Sequence, residues 1–175
     1  MTDVGVRDAR LGDTPAVAEI QVRAWQAAYR GFMPAEPLAE MTASAEPWRA
    51  RWAEAVTAPP SGRHRVLTAV ADGVVVGFAA FAPAEDPDQD ADAAELITVA
   101  VDPARVREGH GSRLLSAVAD QLRELSFTTA VTWVFAADAG LRAFLEPAGW
   151  APDGATRTLD LGSPVEMVRL HTSLV

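Results

Sequence analysis

The chain has no cysteine. Disulfides, zinc–thiolate centres and thiol nucleophiles are therefore excluded. Lysine is absent too, and all 15 basic residues are arginine. That removes Schiff-base chemistry and the lysine-dependent phosphate loops. A single tyrosine, Tyr29, supplies the one phenol. No apolar run approaches the roughly 20 residues that cross a bilayer, so no membrane partner is expected. Met1–Gly12 is too charged for the apolar centre of a secretory signal, and a cytoplasmic location is the expectation. The net charge is −9, which argues against nucleic acid as a partner because backbone phosphates need a basic face.

What is present is a globular composition, 49% apolar over 175 residues, long enough for one domain (1–175) with a sizeable core. Val4–Arg7 alternates as a short strand. Thr14-Pro15 opens a helix to Arg30, with Val17, Ile20, Ala24 and Ala28 on one stripe and Trp25 and Tyr29 on the next. Leu38–Met41 and Glu46–Val56 read as helical. Asp72-Gly73 joins the strands Arg65–Ala71 and Val74–Phe81 in a tight hairpin, because both turn positions tolerate positive φ. A polar loop, Pro83–Asp92, carries five acids. Such a run is usually a solvated loop, with a secondary reading as an attractor for a cationic substrate.

A strand Glu95–Val101, a helix Gly109–Leu125 and a strand Thr129–Phe135 come next. Asp138 caps a helix Ala139–Ala148 that Gly149 ends, and Ala155–Leu161 pairs with Val165–Leu170 in a last hairpin. Helices interspersed with hairpins predict an α/β (α+β) domain on a mixed, partly antiparallel sheet rather than a doubly wound one. Trp133 and Trp150 read as core.

The densest signal lies between Pro103 and Ser112. A strand ends at a proline, and a helix then starts at Gly109-His110-Gly111 with Arg105, Arg107 and Arg113 around it. This layout aims backbone N–H groups at one point and suits a pyrophosphate. Leu114 stands where a dinucleotide fingerprint needs its third glycine. Taken alone, the Gly-x-Gly also fits simple packing at a helix start. His110 reads as a helix-start residue facing solvent or ligand, not as a base.

Three motifs together resemble the GNAT superfamily of N-acetyltransferases. Val101-Asp102-Pro103 followed by Val106-Arg107-Glu108-Gly109-His110-Gly111 is similar to its Q/R-x-x-G-x-G/A acyl-CoA motif, with Val106 in the first position. Asp138 to Trp150 resembles the downstream N-x-x-A-x-x-F-Y-x-x-x-G-F run, with Phe144 and Leu145 in place of Phe-Tyr. Trp25, Tyr29, Gly31 and Pro34 match W-x-x-x-Y-x-G-x-x-P, seen in one bacterial branch.

The resemblance implies a central, mostly antiparallel sheet of about seven strands with four or so helices. It implies acetyl-CoA as cosubstrate, no metal, and a small-molecule or peptide amine as acceptor, with a homodimer possible through the final hairpin. Cofactor contacts are expected at Val99, Ala100 and Val101, at Val106, Arg107, Glu108, Gly109, His110, Gly111 and Ser112, and at Asp138 and Phe144. Glu95 is the expected base, acting through water. Tyr29 is a candidate proton donor, since Leu145 cannot be one. Trp25, Tyr29, Phe32 and Trp52 are expected around the acceptor. The competing expectation is a non-catalytic acyl-CoA-binding module on the same scaffold.

Overall fold

The structure is a computed structural model and describes residues 3–175; the first two residues of the charged Met1–Gly12 segment lie outside it. Seven strands, β1 (Val4–Asp8), β2 (Arg65–Ala71), β3 (Val74–Pro83), β4 (Ala93–Val101), β5 (Thr129–Phe135), β6 (Ala151–Asp160) and β7 (Pro164–Ser173), form one sheet ordered β1-β2-β3-β4-β5-β7-β6. Among the described residues five α-helices accompany it: α1 (Thr14–Tyr29), α2 (Ala35–Thr42), α3 (Glu46–Thr57), α4 (His110–Glu124) and α5 (Ala139–Leu145). The segment expected as Leu38–Met41 is thus a full helix started by Pro34, and α5 tightens into a 3₁₀ turn at Glu146–Ala148 before Gly149.

Every strand pair is antiparallel except β4 with β5. The turn between β2 and β3 has φ of 51° at Asp72 and 77° at Gly73, as its sequence requires. The parallel β4–β5 pair is joined by α4. That helix buries Leu114, Val118 and Leu122, one stripe at four-residue spacing, against the sheet. Each such side chain contributes about 2 kcal/mol of burial.

The β4–β5 pairing is short. Only Ala93, Ala94 and Glu95 pair with Thr129, Ala130 and Val131. Beyond that point β5 stays with β7 along its whole length, and β4 stays with β3. The two strands therefore diverge into a fork. At its apex the Thr132 hydroxyl donates to the Leu96 carbonyl at 2.7 Å.

The cause of the divergence lies in β4. Phe81 pairs with Leu96 and Ala80 with Thr98, so Ile97 is an extra residue, a bulge that bends the strand. Ile97 is left 52% exposed in the mouth of the fork. On the opposite face, α1 packs Val17 and Ile20 on Phe78, and a separate apolar cluster of Met33, Leu38, Phe135, Val165 and Met167 underlies the aromatic end of α1.

Candidate active site

Main-chain polarity in the fork follows from the bulge. The Leu96 carbonyl points toward β5, where Thr132 takes it. The Asp102 N–H points the other way, to the Val76 carbonyl of β3 at 2.8 Å. Strict alternation would give residues 96 and 102 the same direction, so the bulge has shifted the phase. Val99 and Val101 consequently turn their N–H and C=O groups into the open fork. Ala100 does not. Its carbonyl is turned to β3, so close to Gly77 that a Cβ there would lie 2.8 Å away. Of the three main-chain positions expected to hold a cofactor, Ala100 can contribute only its side-chain surface.

Below the fork, a 430 Å³ cleft runs from Val99 and Val101 to the start of α4, lined by Val106, Arg107, Gly109, Gly111, Ser112 and Phe144. Arg107 has φ 65° and Gly109 φ 84°, both left-handed, and such turns make successive N–H groups converge. Outside the helix's own bonding, no N–H from Arg107 to Ser112 donates to another group among the described residues. The α4 macrodipole adds positive potential at the same point.

Gly111 has a packing reason as well. A Cβ there would sit 2.9 Å from the Phe144 ring, so the ring covers the first turn of α4. Phe144 thereby also lines the cleft.

The side chains around the cradle depart from expectation. Glu108 turns out of the cleft and bonds Arg105 (2.8 Å) and the ring of His110 (2.9 Å). The Arg105 guanidinium, followed by the His110 ring, holds its carboxyl below the usual range. His110 does not face solvent, being 3% exposed, but it lines the cleft, with its ring bonded to the Glu108 carboxylate. Arg113 donates to the Glu108 carbonyl at 3.0 Å. Arg107 makes no salt bridge among the described residues and is the cation left free for a ligand.

At its other end the fork opens into an 840 Å³ cleft that also reaches Trp25, Tyr29 and Phe32. Ala24 and Ala28, expected on the buried stripe of α1, line this cleft instead. Asp138 caps α5, accepting from the Leu141 N–H at 3.1 Å, and lines the cleft. Burial raises the Asp138 carboxyl. Burial, reinforced by the charge of Asp138, pushes the Tyr29 phenol up to about 12. Leu145 is fully buried core.

A 500 Å³ pocket adjoins, sharing Trp25, Tyr29, Ile97, Thr98 and Trp133 with the cleft. Trp25 stacks on Tyr29 (6.2 Å between centroids) and meets Trp48 edge-on (4.9 Å). Trp52 donates to the Gln21 side chain at 2.7 Å, which fixes α3 on α1. Glu95 is half-buried in this pocket, and burial, then the nearby Asp86, raises its carboxyl, with Arg157 opposing.

Trp133, expected as core, is a wall of this pocket. It also packs against the Met33, Leu38, Phe135, Val165 and Met167 cluster, and two guanidiniums lie near its ring, Arg157 at 4.4 Å and Arg169 at 5.6 Å. The acidic loop is not merely solvated either. Buried Arg169 binds Asp86 (2.9 Å), Asp88 (2.5 Å) and Asp153 (2.6 Å), and Asp86 also accepts from the Trp133 indole at 3.0 Å. Sequence reading missed Arg169, Trp48, Arg51 and Arg157. The spacing of Trp48, Arg51 and Trp52 on one face of α3 was a usable signal, whereas Arg157 and Arg169 had none.

The family model described as the Acetyltransferase (GNAT) family matches residues 21–150. The chain belongs to this family. Its match runs from the middle of α1 to the end of the α5 segment, so the fork, the cradle and Glu95 all fall within the GNAT region. The N-acetyltransferase YuaI of Bacillus subtilis (strain 168) is 27% identical over 133 residues, covering 75% of this chain and 71% of that one. Two solved structures share the fold. PaiA N-acetyltransferase of Thermoplasma acidophilum, in complex with coenzyme A, superposes with a TM-score of 0.78 at 17% identity, covering 98% of this chain and 99% of that one. YncA of Salmonella typhimurium, solved with acetyl-CoA, gives 0.73 at 23% identity, covering 99% and 95%. The chain is thus a GNAT N-acetyltransferase with a seven-stranded, mostly antiparallel sheet, as the motifs implied. No described helix is long and apolar enough to cross a membrane.

Proposed function

We propose that this acetyltransferase moves an acetyl group from acetyl-CoA to the primary amine of a small molecule or peptide in the cytoplasm, by direct attack within a ternary complex. The observation that carries this reading is the phase-shifted fork. One continuous path joins the free N–H groups of Arg107–Ser112, the exposed main chain of Val99 and Val101, and the pocket holding Glu95. The residues fit the cosubstrate in order. Converging N–H groups and Arg107 take the pyrophosphate. Val99 and Val101 extend the sheet to a pantetheine amide, and the Val99 N–H polarises the thioester carbonyl.

Glu95 takes the amine's proton through water. Its raised carboxyl is better matched to a base working near neutrality than an ordinary glutamate. Tyr29 donates a hydrogen bond toward the departing sulfur. A phenol held near 12 does not surrender its proton to a thiolate of ordinary pKa about 8.5, so its part is stabilisation without transfer.

A second reading, a non-catalytic acyl-CoA-binding module, is favoured by one observation: Leu145, where the family pattern has tyrosine, is buried and cannot serve as an acid. Thiol release from acetyl-CoA separates the two. The protein itself contributes no thiol background, because it has no cysteine. Amine-dependent, saturable release supports transfer. Stabilisation by acetyl-CoA with no release under any amine supports the binding module.

A further inference from the structure

The acceptor pocket contains a feature that a simple amine does not use. Arg51 lies over the Trp48 ring at 4.8 Å, and Arg157 lies over Trp133 at 4.4 Å. They come from α3 and β6, on different walls of the pocket that holds Glu95. Among the described residues neither is within salt-bridge distance of a carboxylate, Glu95 included. The one side-chain bond of either is from Arg157 Nε to the Met167 sulfur, at 3.4 Å. Stacking fixes the guanidinium plane and leaves its outer N–H fork free, the geometry that grips a carboxylate.

The charges point the same way. Two guanidiniums and one carboxylate line the pocket, so its own balance is positive. Asp86, the next acid, is engaged by Arg169. A monoamine, cationic before it reacts, is poorly matched there. A molecule carrying both an ammonium and a carboxylate sets each charge against its opposite, since Glu95 and Arg157 lie in one pocket but are unpaired. Trp25, Trp48, Trp52 and Trp133 supply apolar walls for the remainder, and 500 Å³ is the size of a small-molecule site.

Resting on the acetyltransferase reading above, we propose that the acceptor is a zwitterionic α-amino acid with an apolar side chain. Arg51 and Arg157 hold its carboxylate, and its amine lies between Glu95 and the fork. The ammonium proton first departs through water to Glu95. The amine nitrogen then bonds the acetyl carbon, the C–S bond breaks, and the second proton that nitrogen sheds on becoming an amide passes to the CoA sulfur, directly or through water, so that CoA leaves as thiol.

The test compares L-phenylalanine and L-leucine with their amides, which keep the amine and side chain but lack the carboxylate. Thiol release gives kcat and KM, and quenching of pocket tryptophans, with CoA present and absent, gives binding without turnover. The acids should exceed the amides in kcat/KM by about tenfold or more, as expected for charge-assisted bonds to arginine. Arg157→Gln and Arg51→Gln should each raise KM for the acids by a similar factor and change KM for the amides far less. Arg157→Lys should restore part of the loss, and melting temperatures would show that the variants fold. Equal use of acid and amide, preference for amides, peptides or polyamines, no binding of either acid, or a preference that survives the double Gln variant would each overturn the proposal. Failure of acetyl-CoA to raise the melting temperature of the unaltered protein would instead overturn the acetyltransferase reading beneath it.

Discussion

The two ends of the fork are built from different materials. The cradle end is mostly backbone: left-handed Arg107 and Gly109, free N–H groups, and a β4 edge exposed by one bulged residue. The acceptor end is almost entirely side chain, with Trp25 from α1, Trp48 from α3, Trp133 from β5 and Arg157 from β6. Backbone recognition depends on local conformation and tolerates changes of side chain. Side-chain recognition depends on how distant elements dock and changes with each substitution. A common cosubstrate paired with a particular acceptor calls for this division.

The contrast is broken most severely at Ser112. It is exposed in the first turn of α4, where a negative charge favours the helix. Ser112→Glu should leave the melting temperature unchanged or raise it, yet weaken acetyl-CoA by about a hundredfold or more through repulsion at short range. Calorimetric titration checks this, and full affinity in the variant would move the pyrophosphate elsewhere.

Next in size is Arg169, which ties the acidic loop to the wall of the acceptor pocket. Removing it leaves three carboxylates without their partner, so Arg169→Met should lower stability by about 2–3 kcal/mol, less than for a wholly buried pair because the acids can rehydrate. The Asp88 carboxyl is held down to about 2 by its bond to Arg169. A depressed carboxylate stabilises the fold above its unfolded value of about 3.9 and loses that contribution as pH falls through the folded one. The unaltered protein should therefore lose stability from about pH 4 downward more steeply than Arg169→Met. Denaturant midpoints across that range measure it.

Glu95→Gln should lower kcat/KM about tenfold near pH 6 and converge on the unaltered protein as pH rises and the free amine deprotonates unaided. Parallel profiles at all pH values would remove Glu95 as the base. The smallest effect is expected at Tyr29. If its phenol only donates a hydrogen bond, Tyr29→Phe should cut kcat by about fivefold, without altering either limb of the pH profile. A shifted alkaline limb would show that the proton is transferred.

The same division explains what the sequence made legible. The α4 stripe of Leu114, Val118 and Leu122, the Asp72-Gly73 turn and the Gly109–Gly111 helix start are local patterns, and each stands where its spacing implied. The fork follows from the family resemblance, in which Glu95–Val101 splays from its neighbour, and not from any local spacing. Its cause is a single unpaired residue, Ile97, in a run that reads as one unbroken strand, and its consequence, the turning away of Ala100, is a matter of phase. For His110 the helix start left solvent and ligand both open; bonded to Glu108, it lines the cleft and is closed to solvent. Trp133 does pack against a core cluster, and its second role as a pocket wall beside Arg157 and Arg169 depends on residues far along the chain. Side-chain sites assembled from several elements leave no local spacing to read.

The proposed function rests on one path from a backbone cradle for acetyl-CoA to an acceptor pocket where transfer occurs. Its most direct test is thiol release from acetyl-CoA by the purified chain across an amine panel, with acetylated product identified by mass. Saturable release is expected that requires an amine, yields one acetylated product per thiol and, at limiting acetyl-CoA, falls about a hundredfold in Ser112→Glu. Tight acetyl-CoA binding with no amine-dependent release, or release unaffected by Ser112→Glu, would contradict it.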